Sequence, residues 1–395
     1  MKNILKKNLL KPLFTALIIL SISTSCNSQT KTSSSNKETT SHSSTKELSP
    51  IRDIPSSELV SEIKIGWNLG NTMDSTTGRL NESPESYETG WGNVITTQEI
   101  IDTVSDAGFN IIRIPVSWGE HLSDDDTYTI DAAWLNRVGE IVDYCVNNDM
   151  FIILNTHHED WIFPDNAHFD ENSDELKKIW TQIGDYFEGY NEKLIFEGMN
   201  EPRKIGTPSE WSGGDEESHE VINRLNQVFV DTIRGLGGNN PKRHLMIPTY
   251  AASSTEKAIR ALTVPAGDDK LIVSVHAYIP YDFALAPNGT AAWSKDDPSC
   301  TQEIDNLFSL LKTTFIDKGT PVIIGEMGAS SRDNNEARAE WSRYYISTAG
   351  AVGIPCIWWD NGTYLGGDSA FGLLSRKSIR WIYRDVVDGL MAGLK

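Results

Sequence analysis

Two carboxyl groups stand at the ends of short apolar runs, far apart in the chain. The stretch Leu194-Ile195-Phe196-Glu197-Gly198-Met199-Asn200-Glu201-Pro202 begins as a run too short for a helix and ends in an amide and a carboxyl. A buried parallel strand reads this way where it emerges at its C-terminal end, and Pro202 then stops the strand and stiffens the exit. The run Pro321-Val322-Ile323-Ile324-Gly325-Glu326 has the same form and delivers one carboxyl. The pair Glu201 and Glu326 is the minimum equipment for cleaving a glycosidic bond. Each alone reads more simply as an ion-pair partner, so the elements around them have to decide.

Those elements alternate. Strand-like apolar runs occur at residues 63–69, 110–116, 150–156, 194–199, 244–250, 271–278, 321–326 and 355–359. Helical patterns lie between them at about 97–107, 133–148, 174–189, 217–236, 254–262, 303–316, 335–349 and 379–390. Eight strands alternating with eight helices describe an α/β fold, a (β/α)8 TIM barrel forming a single catalytic domain. The competitor is a doubly wound open sheet, but Gly66-Trp67-Asn68-Leu69-Gly70-Asn71 after the first strand is no dinucleotide fingerprint.

A barrel builds its site from the C-terminal strand ends. Here they bring Asn68 and Asn71, Arg113, His157-His158, Asn200-Glu201, His276 and Tyr278, Glu326, and Trp358-Trp359 before Asp360-Asn361. His157-His158-Glu159 could suggest a metal. Alternation along a strand would send the two imidazoles to opposite faces, so no metal site is expected, and no cofactor.

The first 25 residues read as an export signal. Lys2, Lys6, Lys7 and Lys11 precede an apolar core from Leu13 to Ile22, too short to span a bilayer. Small residues then lead to Cys26, which resembles the lipobox cysteine of bacterial lipoproteins, although Ser23 stands where Leu is usual. The alternative is a conventional secretory signal. Residues 26–50, almost all Ser, Thr, Lys, Asn and Glu after the cysteine, cannot bury enough apolar surface to fold and read as a flexible tether. Residues 51–395 then form one catalytic domain. The expected place is the surface or outer membrane of a bacterium, held by lipid alone, with the protein monomeric.

The formal net charge of −20 excludes nucleic acid as a partner and disfavours acidic polymers, leaving neutral ones untouched. Twelve tryptophans supply apolar faces on which sugar rings stack. Beyond Cys26 the chain has only Cys145, Cys300 and Cys356, which allow at most one bridge and fit no metal motif.

Gly66–Asn71, Arg113-Ile114-Pro115-Val116-Ser117-Trp118, Asn155-Thr156-His157-His158-Glu159, the Asn200-Glu201-Pro202 stretch, Ser274-Val275-His276-Ala277-Tyr278, Ile324-Gly325-Glu326-Met327-Gly328 and the segment from Trp358 to Gly362 together resemble glycoside hydrolase family 5. More narrowly, they are similar to its subfamily 4 of bacterial endo-β-1,4-glucanases, from about Ile51 to the C-terminus. Met327 departs from the Phe usual beside the second carboxyl. The resemblance implies a retaining cellulase with Glu201 as acid/base and Glu326 as nucleophile. It also implies that Arg113 and Tyr278 hold the nucleophile, Asn200 binds the 2-hydroxyl, His276 tunes the acid/base, and Trp359 is the platform under the reacting ring. Asn71, His157 and His158 join the substrate-binding set. The substrates implied are cellulose, mixed-linkage glucan or xyloglucan, with mannan more remote; the loops at 163–175, 206–217 and 279–300 would choose among them. A non-catalytic glycan-binding lipoprotein on the same barrel is the rival class.

Overall fold

A computed structural model of the chain describes residues 50–78, 82–365 and 369–395. The leader, Cys26 and the tether lie outside the described residues. Glu47–Lys395 forms one compact unit. Its centre is a closed parallel barrel in strand order β1 to β8. The strands are β1 (Ile65–Leu69), β2 (Ile111–Ile114), β3 (Phe151–Asn155), β4 (Leu194–Glu197), β5 (Leu245–Ser253), β6 (Leu271–His276), β7 (Val322–Met327) and β8 (Cys356–Asp360). Around and between them run α1 (Ser56–Glu62), α2 (Pro84–Glu88), α3 (Gln98–Asp106), α4 (Ala132–Asn147), α5 (Phe169–Tyr186), α6 (Glu216–Arg234), α7 (Glu256–Ala261), α8 (Tyr281–Ala284), α9 (Pro298–Thr314), α10 (Asn335–Gly350) and α11 (Arg384–Ala392).

Strand alternation sorts the barrel into layers. Ile111, Ile153, Ile195, Met246, Ile272, Ile323 and Ile357 cluster with Leu59 and Val60 of α1 and with Ile63 just after it, which close the floor. Two residues further along four of these strands the inward positions turn polar: Arg113, Asn155, Glu197 and Ser274. Residues of the opposite parity, such as Trp67, Ile112, Leu154, Phe196 and Ile324, join the larger core under the helices. One side of the barrel wall is therefore apolar throughout, while the inner side changes from oil to hydrogen bonds with height.

The expected elements differ in detail. β4 stops at Glu197, so Asn200 and Glu201 sit on the exit loop and not on the strand itself. α5 begins at Phe169, inside the segment 163–175 read as a loop. The last helical pattern starts at Arg384, because residues 374–381 fold into a small hairpin, β9 (Leu374–Ser375) with β10 (Arg380–Trp381). Arg376 of that hairpin donates to Gly70 O at 2.9 Å and Thr72 Oγ1 at 2.7 Å, stitching the β8 exit to the β1 exit. Cys145, Cys300 and Cys356 are all free. Among the described residues, no helix is long and apolar enough to cross a membrane.

Candidate active site

The site grows from the polar layer. Arg113, wholly buried on β2, has five N–H donors, four of which meet oxygen acceptors while the fifth faces an imidazole nitrogen. Nε donates to Glu197 Oε2 at 2.7 Å. Nη1 donates to Asn68 Oδ1 at 3.0 Å and to Glu326 Oε1 at 2.8 Å. Nη2 donates to Asn200 Oδ1 at 2.7 Å and lies 3.5 Å from His276 Nε2. One guanidinium thus ties β1, β2, β4, β6 and β7 together at the height where the chemistry sits.

Glu326 accepts a second bond, 2.8 Å, from the Tyr278 hydroxyl to Oε2. Strict alternation from Ile323 would point it outward. The pairing of β7 shifts register between Ile324 and Met327, and that of β6 between Val275 and His276, and these irregularities turn Glu326 into the mouth. Burial and the facing Glu326 push the Tyr278 phenol well above its ordinary value, so it stays a donor.

Glu201 is held by His276, whose Nδ1 lies 2.8 Å from Glu201 Oε1 and 3.7 Å from Glu326 Oε1. A carboxylate oxygen of Glu201, one of Glu326 and a His276 nitrogen all lie within 4.8 Å of one another. Burial opposes charge on His276, but the Glu326 and Glu201 carboxylates outweigh it and raise its pKa, with Arg113 working against them. Burial would raise Glu201; the His276 bond and the positive charges of His276 and Arg203 reverse the sign and lower it. The two directions are opposite: the His276 ring holds its proton more tightly than a free imidazole, and the Glu201 carboxyl holds its own less tightly than a free one.

The remaining expected residues fall into two groups. Asn200, with Oδ1 fixed by Arg113, turns its amide nitrogen to within 3.4 Å of His157 Nε2. The His157 ring lies parallel to that of Trp359, 2° between planes and 5.7 Å between centroids. Trp359 can lie there because residue 70 is glycine: a Cβ at Gly70 would sit 2.8 Å from its ring. His158 is exposed and faces Trp91 at 5.4 Å. Asn71 stands apart. It has φ +54° and is held by its backbone, with N–H to Asp74 Oδ2 at 3.0 Å, and none of the contacts of the described residues joins its side chain to the carboxyl pair.

The strand argument used for the two imidazoles needs correction. β3 ends at Asn155, so His157 and His158 are past the pleat and do not diverge. Their rings meet edge to face at 4.5 Å, and a nitrogen of each lies within 4.8 Å of the other and of an Asp74 oxygen. Both His157 nitrogens already face amides, Asn155 at 3.2 Å and Asn200 at 3.4 Å. Burial first, then the neighbouring positive groups, keep His157 neutral.

Sequence reasoning passed over Glu197, Asn155 and Ser274 beneath the pair, and Arg203, Trp91 and Trp211 around it. Arg203 reaches Glu201 Oε2 at 3.8 Å and lies 4.4 Å over the ring of Trp211, which is 62% exposed. The signal for Glu197 was present: a carboxyl two residues after Ile195 in a run buried on both faces.

The profile of the family described as Cellulase (glycosyl hydrolase family 5) matches residues 73–364. The chain belongs to glycosyl hydrolase family 5. Within this family it is 47% identical to "Endoglucanase B" of Neocallimastix patriciarum, over 87% of this chain and 73% of that one. A GH5-4 broad specificity endoglucanase from Ruminococcus champanellensis, solved with bound cellotriose, superposes with a TM-score of 0.83 at 45% identity, covering 87% of this chain and 100% of that one. A GH5 xyloglucan-specific endo-β-1,4-glucanase from a metagenomic library, also with cellotriose, superposes at 0.81 and 43% identity, covering 84% and 97%. The matched residues 73–364 include both carboxyls and strands β2 to β8.

Proposed function

We propose that this protein is a retaining endo-β-1,4-glucanase, with Glu326 as nucleophile and Glu201 as acid/base. The observation that carries the reading is the carboxyl spacing. Oxygens of Glu201 and Glu326 lie within 4.8 Å, close to the roughly 5–5.5 Å of retaining pairs and too close for the intervening water that inverting enzymes need. Glu326, charged and aimed by Arg113 and Tyr278, attacks the anomeric carbon and forms a glycosyl-enzyme. Glu201 protonates the leaving oxygen. A neutral sugar that displaces water from the cleft disfavours the separated His276 and Glu201 charges, which moves their shared proton onto the carboxyl. Glu201 then takes a proton from water, which attacks the same carbon from the vacated side. Asn200 is placed to bond the 2-hydroxyl, and Trp359 to carry the ring in the reacting subsite. His157 and His158 extend the floor of the cleft.

The polymer reading follows from what flanks the centre. Trp91 beside His158 and Trp211 beside Arg203 leave aromatic faces open beyond the carboxyl pair. Such faces stack on glucose rings without charge, and relatives named as endoglucanases and a xyloglucanase share the frame. Cys26 is read as an acylation site that anchors the exported enzyme.

Incubation with cellulose, mixed-linkage glucan, xyloglucan and mannan, with proton NMR in the first minutes, tests the reading. The expected outcome is internal cleavage of β-1,4-glucans with the β-anomer appearing first. An initial α-anomer overturns the role of Glu326. In the same assay Glu201→Gln should lose polymer hydrolysis yet still release acidic aryl leaving groups; cleavage of polymer at the wild-type rate removes Glu201 as the acid.

A further inference from the structure

Arg113 pairs with two carboxylates, and only one of them, Glu326, belongs to the catalytic pair. Glu197 is fully buried at the end of β4, beneath the catalytic pair. Its Oε2 accepts from Arg113 Nε at 2.7 Å and from Asn155 Nδ2 at 3.1 Å, and its Oε1 accepts from the Ser274 hydroxyl at 2.6 Å. Both oxygens are thus taken by donors, one of them the Arg113 guanidinium, in a buried ion pair in the floor of the polar layer. It cannot touch a sugar: Arg113 lies between it and Glu326.

We infer that Glu197 is a positioning residue that divides the charge of Arg113 and so sets the proton affinity of both catalytic groups. The inference rests on the reading of Glu326 and Glu201 given above. One guanidinium carries one positive charge. Facing Glu326 alone, it would neutralise that carboxylate and make it a weak nucleophile. Glu197 takes the Nε edge and leaves Nη1 to orient Glu326 without cancelling it. The same fork presents Nη2 to His276 Nε2 at 3.5 Å, where the positive charge opposes a proton on the Glu201–His276 pair. An anion on the far edge of the guanidinium offsets that effect and helps keep that proton on the pair at neutral pH. Glu197 also fixes the plane of the guanidinium, hence the directions of its bonds to Asn200 and Glu326.

Glu197→Gln is the informative change. Gln has the same shape, its oxygen can still accept from Arg113, and its amide can donate to the Ser274 hydroxyl, so the fold keeps its hydrogen bonds. Losing the negative charge should lower the proton affinity of Glu326 and of the Glu201–His276 pair together. Both limbs of the kcat/KM profile should therefore move to lower pH, by about one unit, with kcat at the new optimum falling about tenfold or more and KM little changed. Glu197→Asp keeps the charge and shortens the reach; its limbs should stay in place while its melting temperature drops. A 2-deoxy-2-fluoro glucoside that labels Glu326 is measured alongside. If wild type carries no label there, the functional reading fails. If wild type is labelled and the Glu197→Gln limbs coincide with those of wild type, or Glu197→Asp shifts them as Gln does, the role of Glu197 is overturned.

Discussion

At the scale of single residues, the site is an arrangement of donors around two acids. Tyr278 illustrates how much one of them contributes. Its hydroxyl makes a 2.8 Å bond to Glu326, and no structural element depends on it. Hydrogen bonds to charged groups are worth about 1.5–3 kcal/mol. Tyr278→Phe should therefore lower kcat by roughly 10–100-fold with a melting curve unchanged within about 1 °C. Steady-state kinetics and a thermal scan check both halves, and a loss of stability equal to the loss of rate would make the hydroxyl structural. Glu201, Glu326, Arg113 and Tyr278 were legible in the sequence because each is a polar outlier at the end of an apolar run. Glu197 showed as a carboxyl inside such a run, but an ion pair explains that equally well, so its place in the site was not legible. Its partner lies 84 positions away, and only the closed barrel brings the two together.

At the scale of elements, strands and helices were read correctly in type and order, and failures came where tertiary structure overrides local pattern. The register shifts that turn Glu326 inward leave no mark in composition. β10 falls inside the expected helical pattern at 379–390, because a two-residue strand is too short to show a period of its own. The segment between β2 and α4 offers a test of its own. Glu175 of α5 lines a pocket with Gly119, Leu122, Ser123 and Tyr128 and is 7% exposed. Burial first, then Glu171 and Asp174, push its carboxyl up to about 7. A carboxyl raised in the folded state binds its proton more tightly there than when unfolded. Its stabilising effect is complete below the unfolded value near 4.5 and is lost as pH rises through about 7. Glu175→Gln, which cannot ionise, should then be more stable than wild type at pH 8, by about 1–3 kcal/mol, and the difference should vanish near pH 4. Urea unfolding at the two pH values measures it; equal differences at both would show that burial is not the cause.

At the scale of the whole molecule, the barrel separates its tasks by height, with an apolar floor, a charged middle layer and an aromatic rim. The acid-rich composition disfavoured nucleic acid and acidic polymers and left neutral polymers open. The anchor inferred at Cys26 belongs to this scale too. Cys26→Ser should move the enzyme from the membrane fraction to the soluble one, or trap an uncleaved precursor, as read by fractionation and immunoblot. An unchanged membrane fraction removes the anchor.

The floor has a practical consequence. Ser56 at the start of α1 donates its backbone N–H to Asp269 O, and Arg52 pairs with Glu192, both partners lying just before barrel strands. At the other end of the chain, Gly393, Leu394 and Lys395 share a groove with Val60, Ile63 and Lys64 of the same floor. Both ends of the barrel domain thus lie on its floor side. The enzyme can be coupled to a bead or a fusion partner through either end with its cleft unobstructed, and new termini can be cut elsewhere once a linker joins the old ones.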